Sequence, residues 1–175
     1  MTDGSASDSE SAVSSIGALT RLVEEAVGVP LGDEIHVLGR SDAPTPTDRL
    51  TDRLADLLAG DESIVGVVPR IQGSIAREVA GSVDGEVRLV LTGTAAARVD
   101  GVSGRAVQTT LADRGVSVSV HDGDSPVGVL LVGDRALVGF FDDEGLAALL
   151  WTDTPAVRKW AVETYRRYAA AAESV

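Results

Sequence analysis

Val127-Gly-Val-Leu-Leu-Val132, Ala136-Leu-Val-Gly-Phe-Phe141 and Leu146-Ala-Ala-Leu-Leu-Trp151 are three apolar runs of strand length, separated by Gly133-Asp-Arg135 and by Asp142-Asp-Glu-Gly145. Connections this short join antiparallel neighbours, so 127–151 reads as a three-strand meander. Upstream the pattern changes. Ser63-Ile-Val-Gly-Val-Val68, Glu86-Val-Arg-Leu-Val-Leu-Thr92 and Val116-Ser-Val-Ser-Val120 are strand patterns with helical stretches between them. Those helices are Ser74–Val79, closed by Gly81, and Gly104–Arg114, which turns Val107 and Leu111 inward and stops at Gly115. Strands alternating with helices predict parallel βα units. Earlier still, Leu50, Leu54, Leu57 and Leu58 make the apolar face of a helix that Thr47 can cap. Ile35, Val37 and Leu38 form a short strand, joined to that helix by the extended segment Ala43-Pro-Thr-Pro46. Downstream, Thr154 is the expected N-cap and Pro155 the first residue of a helix to about Glu173, with Val157, Trp160, Ala161, Thr164, Tyr165 and Tyr168 inward. The fold class is therefore α/β: βα units, an antiparallel meander, and a long C-terminal covering helix.

The 175 residues suit one domain. Residues 1–12 are rich in Ser, Asp and Glu and read as a disordered acidic leader, with neither the basic nor the apolar region of a secretion signal. Residues 13–31 carry Val13, Ile16, Leu19, Leu22, Val23, Ala26 and Val27 at helical spacing before Gly28 and Pro30 end the run. Residues 34–174 hold the α/β domain. No apolar run approaches the length of a membrane span, so a cytoplasmic protein without a membrane partner is expected. Cysteine is absent, which removes disulfides, zinc ribbons and thiol nucleophiles together.

Charge narrows the field further. Asp and Glu number 27 against 15 basic residues, for a net charge of −12, and Lys159 is the one lysine. An acidic, lysine-poor composition of this kind resembles that of proteins from extreme halophiles, whose carboxylate surfaces stay hydrated in molar salt. Residues 1–62 pair 13 acids with Arg21, Arg40, Arg49 and Arg53, and the remainder pairs 14 acids with 11 bases. With no basic patch to displace counterions from phosphates, direct nucleic-acid binding is not expected.

The common chemical motifs are missing. Lys159 follows Arg158 rather than a glycine-rich loop, and no strand leads into G-x-G-x-x-G, so neither nucleotide motif is present and no cofactor is expected. His36 and His121 are the only imidazoles and neither has a second one within a helix turn, so no metal is expected either. His121-Asp-Gly-Asp124 supports two readings. It is a turn in which the Asp side chains bond their own backbone, or it is the acid/base centre of a small hydrolase or transferase using His121 with Asp122 or Asp124. Asp142, Asp143 and Glu144 read as a solvated hairpin tip. In an open α/β sheet, ligands sit beyond the carboxyl ends of strands. Arg40, Arg70, Thr92, His121, Asp122 and Trp151 are accordingly the candidate ligand-binding residues, and the two arginines with a threonine hydroxyl suit a small anionic molecule.

Several stretches together carry a family resemblance: Pro44-x-Pro46 leading into Arg49-Leu50, then Ile64–Pro69, then Val118-x-Val120-His-Asp122 with Pro126-Val-Gly-Val-Leu130. Asp134-Arg-Ala-Leu-Val-Gly139, Thr152-Asp-x-Pro155, and Trp160-Ala161 with Tyr165-x-x-Tyr168 complete the set. Over about Ile35 to Glu173 the chain resembles the effector domain of the archaeal winged-helix transcriptional regulators of the methanogenesis and filament-regulatory family. The resemblance implies a domain that senses a ligand and mediates dimerisation, with residues 13–31 as a linker or dimerisation helix. It also implies a sheet similar to that of phospholipase D. The catalytic pattern of those enzymes, H-x-K-x(4)-D, is not met, because Gly123 stands two residues after His121. Residues 1–34 are too few for the winged helix that reads DNA, so none is expected. The expected function is a non-enzymatic regulatory module that senses a small ligand, pairs with a DNA-binding paralogue as a homodimer or heterodimer, or does both.

Overall fold

The computed structural model describes residues 4–40, 46–60, 62–71, 81, 83–101 and 103–175, with the side chains of 4–14 and 46–48 excepted. The helix expected at Ser74–Val79 and the segment Ala43-Pro-Thr45 lie outside the described residues. In chain order the elements are α1 (Gly4–Val27), β1 (Ile35–Gly39), α2 (Pro46–Leu58), β2 (Ile64–Val68), β3 (Val87–Leu91), α3 (Gly93–Asp100) and α4 (Gly104–Asp113). They continue with β4 (Val116–Val120), β5 (Val127–Val132), β6 (Arg135–Asp142), β7 (Gly145–Thr152), α5 (Pro155–Ala171) and β8 (Glu173–Ser174).

All eight strands form one sheet in the order β1-β7-β6-β5-β2-β3-β4-β8. β2, β3 and β4 are parallel, as the βα pattern predicts, and β5, β6 and β7 are the antiparallel meander. β5 joins the two halves by pairing antiparallel with β2, and β1 closes the far edge against β7. The β5–β6 turn is Gly133-Asp134, with φ +54° at Gly133 and no positive φ at Asp134, the pattern of a II′ turn. That turn fixes the register, setting Val132 opposite Arg135 and Gly128 opposite Gly139.

Helices cover both faces, so the central strands β2, β5, β6 and β7 are apolar on both sides, whereas β4 alternates Val with Ser. On one face Leu19 and Val23 of α1 and Val157 and Ala161 of α5 pack on Val127, Val129, Ala136, Val138, Ala148 and Leu150. On the other, Leu50, Leu54, Leu57 and Leu58 of α2 pack on Ile64, Val87, Val132, Leu137, Leu146 and Leu149. Ala95, Ala96 and Val99 of α3 extend that second layer over Leu91 and Val118.

Three features depart from expectation. α1 begins at Gly4, inside the stretch read as a disordered leader, and no proline interrupts it from there to Val27. α3 was not anticipated, since Gly93-Thr-Ala-Ala-Ala-Arg-Val-Asp100 offers only Val99 as a large apolar residue; its buried face is built from Ala95, Ala96 and Val99. α5 starts at Pro155 after Thr154 as expected, yet the Thr154 hydroxyl bonds Thr152 Oγ1 at 2.7 Å rather than a helix amide.

Leu150 is fully buried between the meander and its helices, so Leu150→Ala should reduce the unfolding free energy by about 2–5 kcal/mol. Val107, expected to face inward, is instead 45% exposed, so Val107→Ala should change that free energy by less than about 0.5 kcal/mol. Denaturant melts of the two variants check this, and similar losses in both would contradict the layer assignment.

Candidate functional site

Strand direction sorts the candidate residues. β1, β2, β3, β4 and β6 run the same way, so Arg40, Arg70, Thr92, His121 and Asp122 gather at one end of the sheet, where the tip of the β6–β7 hairpin also lies. Trp151 does not join them. It sits near the end of β7, which runs the opposite way, stacked on His36 with ring centroids 5.4 Å apart and with Arg53 5.7 Å over its ring. The expected place of Trp151 in a common pocket is thereby corrected: a strand-end position faces that pocket only if the strand points the right way.

Arg40 is committed to the protein itself. Its guanidinium donates to both carboxylate oxygens of Asp142 at 2.8 and 2.9 Å, to Glu144 at 3.0 Å and, through Nε, to the Leu146 carbonyl at 3.1 Å. This forked arrangement leaves little of Arg40 for an external anion. Burial works to raise the Asp142 carboxyl, but the hydrogen bond from Arg40, backbone bonds from Glu144 and Gly145 and the attraction of the Arg40 charge outweigh it. The group is held below the usual carboxylate range. Arg70 reaches the same hairpin from the other side, donating from Nη1 to the Asp142 carbonyl at 2.5 Å. The acidic tip read from sequence as merely solvated is thus an anchor for two arginines.

At the neighbouring strand ends the polar groups hold a loop. His121 Nδ1 accepts the Gly123 amide at 2.8 Å, Asp124 Oδ1 accepts the Ser125 amide at 2.8 Å, and Gly93 N–H donates to the Gly123 carbonyl at 3.1 Å. The Tyr168 hydroxyl donates to the Asp124 carbonyl at 3.1 Å, and its ring meets His121 edge-on at 4.9 Å. Of the two readings of His121-Asp-Gly-Asp124, this geometry is that of the turn. Thr92 is fully buried at the start of α3 and its hydroxyl has no partner.

Below this edge, on the face covered by α2, α3 and α4, lies an apolar cavity of about 200 Å³. Its floor is Leu89, Leu91, Leu130 and Phe141, and its walls include Leu54 and Leu58 of α2 and Val107 and Leu111 of α4. Arg70 and Arg114 are the charged residues of its described lining, the first beyond the carboxyl end of β2 and the second ahead of the amino end of β4. The cross-strand pair Gly128 and Gly139 makes the floor low. A Cβ on either would meet Phe141 or Leu146 at 3.1–3.2 Å, so the Phe141 ring lies over backbone there. Among the six candidates from sequence only Arg70 lines this cavity. The others that line it read in sequence as ordinary core, and the pair of mid-strand glycines was the signal that marked them. Among the described residues no group of three or more His, Asp or Glu is placed to hold a metal ion. Nor is any described helix long and apolar enough to cross a membrane.

The family model for the middle domain of the methanogenesis regulatory protein FilR1 matches residues 47–171. Among solved structures, the archaeal chromatin protein TrmBL2, described as showing a novel mode of DNA binding, is similar over 91% of this chain with a TM-score of 0.56 and 13% identity. The present chain spans 62% of that protein. Nuc from Salmonella typhimurium, a phospholipase D family member, matches 81% of this chain and 97% of its own with a TM-score of 0.57 and 13% identity. NucT from Helicobacter pylori matches 81% of this chain and 98% of its own, with a TM-score of 0.59 and 13% identity. At such identities the likeness is one of fold, and the sheet has the phospholipase D-like architecture expected. No curated protein sequence matches the chain.

Because the Asp142 carboxyl is depressed, its contribution to stability is present above the ordinary carboxylate range and disappears as pH falls through its folded value. Asp142→Asn should therefore melt below the parent at neutral pH, and the two should converge in strong acid. A melting difference independent of pH would show that the Arg40 contact is not what Asp142 supplies.

Proposed function

Because this chain belongs to the family of the FilR1 middle domain, we propose that it is a non-enzymatic regulatory module whose ligand is a small apolar acid held in the cavity between the sheet and α2, α3 and α4. The observation that carries the reading is an apolar cavity with an arginine at either end, inside a domain of a regulator family. A cavity of about 200 Å³ is below the ~300–1,000 Å³ of drug-sized sites, so the ligand has a compact hydrocarbon body. Its carboxylate or phosphate belongs beside Arg70, whose fork suits either group.

A route from the cavity to the rest of the molecule supports a sensing role. Phe141 lies on the cavity floor and is followed by Asp142, which accepts from both Arg70 and Arg40. Arg40 extends β1, and β1 with β7 carries α1. A ligand that displaces Phe141 or recruits Arg70 thereby acts on the hairpin tip, and through Arg40 on the strand beneath α1, the helix proposed to pair with a second chain. Contact with DNA is assigned to a DNA-binding partner, since a net charge of −12 without a basic cluster opposes direct binding.

The hydrolase or transferase reading draws weight from the phospholipase D-like fold, but the contacts of His121 favour the turn. His121 spends Nδ1 on the Gly123 amide, and its ring neighbour is Tyr168 rather than a carboxylate. The sequence spacing of the phospholipase pattern, counted back from Asp134, falls on Val127 and Val129, both buried against α1 and α5.

Thermal shift in molar KCl against carboxylic acids with compact hydrocarbon bodies tests the ligand assignment. A saturable rise in Tm is expected, weakened about tenfold in affinity by Arg70→Ala and abolished by Leu89→Trp. No rise with any acid, or equal affinity in Arg70→Ala, would overturn it. For pairing, co-expression with a winged-helix regulator of the same family should recover a stable complex in molar KCl. A strictly monomeric protein that captures no such regulator would refute that part of the proposal.

A further inference from the structure

A second cavity, of about 450 Å³, lies on the other face of the sheet, at the end opposite Arg40 and Arg70. Val65 and Leu131, directly paired across β2 and β5, form its floor. Ser63 lies at its edge, and Arg158, Lys159 and Val162 of α5 form its wall. In a chain with 27 acidic and 15 basic residues, the charged residues of the described lining are both cations. One of them is the only lysine of the chain, and Lys159 forms no ion pair among the described residues. Arg158 meets Asp134 at 3.4 Å, but that carboxylate side chain is 95% exposed, so the contact is a screened one at the rim. Glu62 stands beside Gly133 at the edge, and Asp153 precedes the helix cap.

Arg158 and Lys159 are the fourth and fifth residues of α5, and both line the cavity beside the apolar pair Val65 and Leu131. We propose that this cavity binds a small oxyanion, a phosphate- or carboxylate-bearing metabolite. Its anionic group lies between the Lys159 ammonium and the Arg158 guanidinium, with the Ser63 hydroxyl as a further donor and Val65 and Leu131 against its uncharged part. The site is separate from the apolar cavity, with the sheet between them.

Amide NMR titration of the whole chain with inorganic phosphate, and separately with succinate, at constant ionic strength tests the assignment and distinguishes the two anion types. Saturable shifts are expected at Ser63, Gly133, Arg158 and Lys159 and not at Arg70. Lys159→Met should weaken binding at least about tenfold, the loss of one charge-assisted contact. Lys159→Arg should retain binding, and Glu62→Gln, which removes a nearby negative charge, should strengthen it. Lys159 is exposed, so the melting temperature of Lys159→Met should match the parent. Shifts that rise linearly without saturating for both anions, or equal affinity in Lys159→Met and the parent, would overturn the proposal. Arg70→Ala should leave this binding unchanged, so the outcome is independent of the apolar cavity.

Discussion

A meander apolar on both faces has to be covered on both, and most of the architecture follows from that requirement. β5, β6 and β7 present Val129, Val138 and Leu150 to one side and Leu130, Leu137 and Leu149 to the other. α1 and α5 meet the first set closely, and their contact residues are fully buried. On the second side, among the described residues, α2 packs on β2, β3 and the meander, and α3 and α4 pack on the parallel strands. Leu89, Leu130 and Phe141 form the floor of the apolar cavity on this side.

The hairpin tip at Asp142 ties the parts together. Its carboxylate holds the last residue of the edge strand region, Arg40, while its carbonyl holds Arg70 at the rim of the cavity. A carboxylate kept ionised by such donors loses less to burial than it gains from them. The tip is therefore a fixed point between the rim of the apolar cavity and the edge on which α1 rests.

Much of this was legible in the residues. The turn Gly133-Asp134 and the apolar runs flanking it specify the meander, and the alternation upstream specifies parallel βα units; the sheet shows both. The strands of the core were readable because apolar runs of five to eight residues bounded by glycine have few other uses. α3 escaped because alanine packs closely but gives no periodic signal of large apolar residues. The site was harder. Strand-end reasoning brought Arg40, Arg70, Thr92, His121 and Asp122 to one edge, but it had no means of knowing that Arg40 is consumed by Asp142 or that β7 carries Trp151 the other way. The apolar cavity was hidden because its lining residues are of the same kinds as the core. The register fixed by the β5–β6 turn does place Gly128 opposite Gly139, and two glycines facing each other in mid-sheet are the trace that a low floor leaves in sequence.

The central claim is that a small apolar acid occupies the space above Phe141. Intermolecular nuclear Overhauser contacts, recorded with methyl-labelled protein and the best-stabilising acid, measure that occupancy directly. The account predicts contacts from the ligand's hydrocarbon protons to the Leu89 and Leu130 methyls and the Phe141 ring, with its acidic end nearest Arg70. Contacts to residues of the α1 and α5 face, or none from a ligand that demonstrably binds, would contradict it.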